Sequence, residues 1–537
     1  MLFNTRRYLV NSMTQLVAVS ISSLSFATWA GELTFDKSIN STANVSETSR
    51  ASGDTESYAL TVQPRLVSIY KSTKANGAFS INHSQIYQGG DLGSSSLNYT
   101  NYALTSRVNL IERMLNISFN ANQGYQTTIG GDSFVSDQLL SQENLAKTNN
   151  YSTNLSFSLP NPKIVGLNWQ ALYGRSKSDK TFDNQNKLDS ENKSLNVNLF
   201  SGQDLNRIKF QLSGRKTNTT RADSQDFEST LLNGSVEFGI IDDFSFVVIG
   251  NDNNYKFNSE TVNTNQQRIN STSYGGGLKW SPRDTRFIEV TYNNFEQDNK
   301  TTKYVGVNAD WMFSPRTGAT FNYGKRFYGD TYSASLNYNL KSFRTSFSYS
   351  ENITSYSRLS YSFETVGIFV CPIGSVEFSE CSQVEDLTYV LDAGEEFRSL
   401  NDLIMDITDE VILNKVGRLS FGYSFRKMKI GVGITQSEIE YLESQRLQKN
   451  KGISLDINYR LGKRTDLGLI TKYTEQDNTF DGTKGNDDTL SFTTTLNRRL
   501  SENASLKTSF RYVNRSSLTE AREIIDKRVT VGFNYTF

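Results

Sequence analysis

The last ten residues, Arg528 to Phe537, alternate without a break. Val529, Val531, Phe533, Tyr535 and Phe537 take every second position, and Arg528, Thr530, Asn534 and Thr536 stand between them. A period of two puts the first set on one face of an extended strand and the second set on the other. The alternation recurs along the chain. Leu115, Ile117, Phe119 and Ala121 carry it; so do Val165, Leu167, Trp169, Ala171 and Tyr173, then Ile208, Phe210 and Leu212, then Leu455, Ile457, Tyr459 and Leu461. Each run predicts a strand of about ten residues, long enough to cross a bilayer at a tilt, where globular strands average nearer six. A single such strand also suits a soluble sandwich, with a core on one side and water on the other.

The connections separate the two cases. One class is short: Leu500–Ala504, Leu461–Thr465, Phe313–Thr317 and Ser281–Thr285. The other, interleaved with it, is long and polar: Glu475–Asp488, Asn251–Ser271 and Arg175–Asn192. A membrane barrel sorts its connections in this way, with tight turns on one side and long loops on the other. Hydrocarbon offers no hydrogen-bond partner, so a sheet within it must close and leave no edge. The expected fold is therefore all-β: a large closed antiparallel transmembrane β-barrel of about 24 strands, within two to four, spanning residues 31–537. The apolar face meets lipid and the polar face lines a lumen that is wide unless something fills it.

Composition supports this reading. Hydrophobic residues are 36% of 537, with 33 Phe, 27 Tyr and 36 Gly but 6 Pro, and no stretch reads as an interdomain linker. Lys+Arg and Asp+Glu are 56 each, and without a basic stripe nucleic acid is not an expected partner. Arg6 and Arg7, the apolar run Leu16–Phe26 and the small residues after it read as an export signal over residues 1–30, cleaved after Ala27 or Ala30. No later run is long enough for a spanning helix. The expected setting is the outer membrane of a Gram-negative bacterium, as a monomer, with the lipid bilayer and the barrel-assembly machinery as partners. Val531, Gly532, Phe533, Tyr535 and Phe537 resemble the C-terminal β-signal by which such barrels are recognised for insertion. Trp280 and Trp311, each just ahead of a Ser-Pro turn, suit an interfacial aromatic girdle, with ordinary strand packing as the other reading.

Trp311–Tyr338, Arg344–Ser355 and Tyr58–Tyr70 resemble the outer-membrane β-barrel family associated with PEP-CTERM/exosortase systems. The resemblance runs over most of the mature chain through short turn-and-strand motifs. It implies a barrel linked to exopolysaccharide and protein sorting, and it brings no catalytic residues with it.

Candidate chemistry is sparse. His83 is the single histidine, and its neighbour Ser84 must point to the opposite strand face, so the two do not form a relay. Gly275–Gly277 lies within a strand pattern and reads as close packing or a bend. No enzyme, catalytic residue, metal or cofactor is expected. The exceptional segment is 366–415, a long outer loop holding both cysteines. Export makes Cys371 and Cys381 a candidate disulfide, closing a small ring worth roughly 2–3 kcal/mol. From Glu377 to Glu410 eleven carboxylates face one base, Arg398. Of these, Glu377, Glu380, Glu385, Asp386, Asp392, Glu395 and Glu396 make up a candidate constriction. Leu400, Leu403, Ile404, Ile407 and Val411 fall at helical spacing behind a cap at Ser399. The segment reads either as an inward constriction that disfavours anions and attracts cations, or as a solvated surface loop. The expected function is a pore or export conduit for polysaccharide or small polar solutes. The alternative is a structural or surface-interaction barrel with an occluded lumen whose loops bind matrix glycans or partner proteins. A plugged TonB-dependent receptor is disfavoured because strand patterning begins directly after the signal.

Overall fold

The computed structural model describes residues 31–91, 93–127, 145–179, 189–222, 226–257, 267–283, 285–355, 369–372, 382–383, 395–398, 411–480, 483–518 and 522–537. Twenty-four strands form one sheet, and each barrel strand pairs antiparallel with its neighbour in sequence. The first, Gly31–Arg50, also pairs with the last, Ile524–Thr536, from Ser38 opposite Thr536 to Arg50 opposite Ile524. This pairing closes the barrel, and the Phe537 amide extends it by donating to the Lys37 carbonyl at 2.8 Å. Three short strands, Phe369–Pro372, Ser382–Gln383 and Glu395–Arg398, form a separate small sheet within the long connection.

The strands are longer than their apolar runs. Gly31–Arg50 and Gly53–Ser72 have 20 residues each, Thr465–Phe480 has 16 and Thr483–Arg499 has 17. The loop expected at Glu475–Asp488 is instead hairpin ladder, with Glu475 opposite Asp488 and Phe480 opposite Thr483. Polar composition marks where the chain leaves lipid, and strand pairing carries on into water. For the same reason the connection expected at 366–415 ends earlier: the strand Val411–Ser424 takes its last five residues, Val411 included, so that the helical pattern does not extend to that position.

Alternation fixes the faces. Val529, Val531, Phe533, Tyr535 and Phe537 are all exposed on the outer face, whereas Asp526 and Arg528 are buried on the inner one. Gly532, in the stretch expected to serve as an insertion signal, lies on the inner face, and a Cβ there would sit 3.0 Å from Thr42 Cγ2 across the seam. Gly275 and Gly277 confirm close packing: a side chain on either would collide with the backbone of the neighbouring strand Arg286–Gln297.

The outer face carries an apolar band edged by aromatics. Trp280 and Trp311 pack with ring centroids 5.6 Å apart near the short-turn end, and the Arg286 guanidinium lies 5.8 Å from the Trp311 ring. The same edge continues through Tyr338, Phe343, Tyr423 and Phe425, successive centroids being 6.0, 6.3 and 4.1 Å apart. Exposed tyrosines, among them Tyr58, Tyr173, Tyr274 and Tyr292, edge the band on the other side. From Val165 to Tyr173 is ~26 Å along the strand at about 3.3 Å per residue, or ~20 Å once tilted, a fit to hydrocarbon. The band is thus a lipid-facing surface, and the Trp pair lies at its short-turn edge.

Phe321 lies on this band and its neighbour Asn322 lies on the lumen face, both exposed. Phe321→Arg should cost about 2–4 kcal/mol of unfolding free energy in lipid vesicles, and Asn322→Arg less than about 1 kcal/mol. Urea titration of the vesicle-inserted variants measures the difference; equal costs would refute the face assignment.

Candidate functional site

The lumen face holds the polar residues, and at the long-connection end several of them are fully buried. Ser176, Asn192, Thr217 and Thr219 are fully buried on one wall; Ile439, Tyr441 and Gln448 are fully buried on the wall across from it. The second wall is tied internally. Tyr441 Oη donates to Gln448 Oε1 at 2.9 Å, Gln448 Nε2 to Asn450 Oδ1 at 3.0 Å, and Asn450 Nδ2 to Ser437 Oγ at 3.0 Å. The Arg446 guanidinium covers the Tyr441 ring at 4.0 Å.

The two walls meet. Arg221, the last residue of the strand Ile208–Arg221, reaches Glu443 in the turn between the strands Met428–Tyr441 and Leu447–Arg460. Their Nη2 and Oε1 atoms are 2.7 Å apart, with 1% and 10% of the side chains exposed. Almost half the circumference separates these positions along the sheet. The turn is tight: the Tyr441 amide donates to the Arg446 carbonyl at 2.9 Å, and the Leu442 amide donates to the Val411 carbonyl at 2.9 Å. A connection this short cannot bridge an open 24-stranded barrel, so the rim itself is drawn inward. Apolar contacts repeat the pattern. Phe227 and Tyr255 from one side share a buried cluster with Ile353, Val411 and Leu413 from the other, and Leu442 and Phe327 pack against it. Tyr255 and Phe327 have centroids 5.5 Å apart.

A second charged group lines the wall beside the closing seam. Arg515 Nη2 is 2.6 Å from Asp487 Oδ2, and Arg522 Nη1 is 3.4 Å from the same oxygen. Asp526, fully buried, accepts from Thr48 Oγ1 at 3.2 Å and lies 3.6 Å from Arg528. Deeper toward the short turns, Lys279 Nζ and Glu237 Oε2 are 2.7 Å apart.

The expected site residues fare differently. Ser84 is buried on the lumen face; His83 lies on the other face, its Nδ1 2.8 Å from Thr100 Oγ1, so the structure separates them as the alternation requires. Cys371 lies in Phe369–Pro372, opposite Glu396, but Cys381 falls outside the described residues and the bridge with it. Glu377, Glu380, Glu385, Asp386 and Asp392 also fall outside them, as does the expected helix from Ser399 to Ile407. Glu395 and Glu396 belong to the short strand Glu395–Arg398. Arg221 and Glu443 gave no sequence signal, because 222 positions separate them and only the closed rim brings them together.

These features define the class: a closed transmembrane β-barrel of the outer-membrane type, with a narrowed outer mouth. No protein-family model and no curated protein sequence matches the chain. Among solved structures it is similar to the FrpB iron transporter from Neisseria meningitidis (F3-3 variant), at 12% identity and a TM-score of 0.40, covering 94% of this chain and 81% of that one. It is similar to Pseudomonas aeruginosa OpdQ at 10% identity and a TM-score of 0.33, covering 94% and 98%. It is also similar to OmpT of Vibrio cholerae at 9% identity and a TM-score of 0.31, covering 95% and 100%. The strand count and closure rest on the pairing above.

A buried ion pair that loses one member leaves an uncompensated charge, at a cost of about 3–5 kcal/mol. Arg221→Ala and Glu443→Ala should each destabilise by that order, and the double variant should cost less than the sum of the two. A double-mutant cycle on urea unfolding measures the coupling; additive losses would show that the contact holds nothing together.

Proposed function

We propose that this protein is an outer-membrane conduit for polar solutes whose outer mouth is held shut at rest. The observation that carries the reading is the Arg221–Glu443 contact between walls almost half a circumference apart. A 24-stranded barrel with a polar lumen has room for a passage, and drawing the rim together narrows that room at the long-connection end. An ion pair is a suitable latch because its strength depends on water. Sealed as it is here the attraction is strong, and once wetted it falls toward that of an exposed pair, about 0–1 kcal/mol. Opening therefore feeds on itself. The resemblance to barrels of PEP-CTERM/exosortase systems extends this reading to passage of material linked to exopolysaccharide.

The same closure also favours a second reading, in which the lumen stays occluded and the long connections bind matrix glycans or partner proteins. Planar-bilayer recordings separate the two. Under the conduit reading the unmodified protein gives rare or small openings, and Arg221→Ala/Glu443→Ala raises the open probability at least about tenfold, the factor matching loss of about 1.4 kcal/mol of closing free energy. Silent bilayers with the properly folded double variant would remove the conduit.

A further inference from the structure

The short turns differ in charge from one half of the barrel to the other. Six consecutive turns, 283–286, 314–317, 339–343, 424–428, 460–465 and 499–504, join the twelve neighbouring strands from Gln267–Arg283 to Ala504–Ser517. They hold ten bases and two acids, Asp284 and Glu502. The five short turns of the other half, 72–75, 111–115, 158–165, 201–208 and 241–244, hold four of each. The first half of this rim is thus net positive by eight and the second is neutral. Arg316, Lys341, Arg426, Lys427, Lys463 and Arg498 are all exposed, and among the described residues no acid pairs with any of them. Arg460 is the answered member, 3.6 Å from Asp466.

These bases lie level with the edge of the lipid-facing band. Large apolar residues sit among them, and Phe313, Leu340, Phe425, Leu461 and Leu500 are exposed. An apolar side chain next to a cation suits neither bulk water nor hydrocarbon. It suits the headgroup layer, where the one reaches the acyl chains and the other meets phosphate. Arg286 shows the arrangement in detail. It stands opposite Trp311 on the outer face, where its Nε and Nη2 donate to the Met312 and Phe313 carbonyls at 2.6 and 3.0 Å. The fork is held in place and keeps further N–H groups for an acceptor outside the protein. Arg498, two residues beyond the exposed Leu496, shares that residue's outer face.

We infer that this half-rim is a binding surface for anionic phospholipids of the leaflet on the short-turn side, their phosphate groups held by the bases of neighbouring turns. Charge complementarity selects them. A zwitterionic headgroup brings an ammonium with its phosphate and gains little from a rim of one sign, whereas phosphatidylglycerol brings net negative charge. Guanidinium forks match phosphate oxygens and hold them with charged hydrogen bonds. The level of the bases decides between a lipid and an acidic soluble protein: every lipid of the leaflet reaches it, and a soluble partner does so only by entering the headgroups. The inference does not depend on whether the lumen conducts.

Tryptophan quenching by dibrominated lipids tests it, with Trp29→Phe protein in phosphatidylcholine vesicles that contain dibrominated phosphatidylglycerol or, separately, dibrominated phosphatidylcholine. Adding Trp169→Phe leaves Trp280 and Trp311 to report on the basic half. Adding Trp280→Phe/Trp311→Phe instead leaves Trp169, on the outer face of the neutral half. Phosphatidylglycerol should be preferred at least about threefold beside Trp280 and Trp311, a factor within the range of one exposed ion pair, and should show no preference beside Trp169. Arg316→Gln/Lys341→Gln/Arg426→Gln/Lys427→Gln should abolish the preference, and potassium chloride at about 500 mM should do the same by screening. Arg316→Lys/Arg426→Lys should keep it. Heat-modifiable gel mobility confirms that each variant is folded. An equal preference beside Trp169, or one that survives neutralisation of the four bases, overturns the surface. So does absence of any preference in the unmodified protein, which would leave the charge to an acidic soluble partner.

Discussion

The structure depends on one constraint: inside hydrocarbon every backbone amide must find its partner within the protein. A 24-stranded sheet meets that requirement only if its first and last strands pair, and they do, from Ser38 opposite Thr536 to Arg50 opposite Ile524. Everything else about the wall follows. Closure fixes the register, register fixes which residues look outward, and a shift of one position at the seam would turn Val531, Phe533 and Tyr535 into the lumen and Arg528 into lipid. The alternation of the final strand is thus both a lipid-facing surface and the seam's register mark. Phe537 supplies the last hydrogen bond of that seam as well as one of its most exposed apolar side chains.

The constraint ends where the lipid ends, and the outer half of the molecule shows what the chain does once it is free of it. Strands continue as polar hairpins because antiparallel pairing remains favourable in water, while the wall no longer has to stay a cylinder. Its rim draws inward until Arg221 meets Glu443 and Tyr255 meets Phe327. Buried Ser176, Asn192, Thr217 and Thr219 then lie where an open lumen would wet them. The narrow mouth is a property of the strand ends beyond the lipid-facing band.

Much of this was legible in the chain. Period-two runs gave the fold class, sorted connections gave the membrane, and the tally of strands from Gly31 to Phe537 gave about 24, within two to four, all because lipid exposure imposes a pattern on every crossing. The same alternation puts Trp280 and Trp311 on neighbouring strands of the outer face, where their rings meet. What lies above the bilayer was not. Polar hairpins such as Glu475–Asp488 have the composition of loops, and no local signal separates paired from unpaired polar backbone in water. The mouth contact was hidden for a further reason: Arg221 and Glu443 are ordinary surface residue types, and only the rim's curvature makes them partners. The charged face of the last strands sits between these extremes. Lys507, Arg511 and Arg515 recur at every fourth position and so share a face, but the opposition of Arg511 to Arg528 requires the register of two strands.

Net charge shows how such a feature escapes a composition count. A zero balance of 56 against 56 reads as featureless, yet a lipid-facing band excludes charge from half of every crossing. Charged residues in a barrel of this kind are therefore pressed into the lumen or out to the rims, and a balance over the whole chain averages compartments that do not mix. For a passage, the charge that matters is the one lining it, and along the last strands that face carries Asp487 and Asp526 together with Arg511, Arg515 and Arg528.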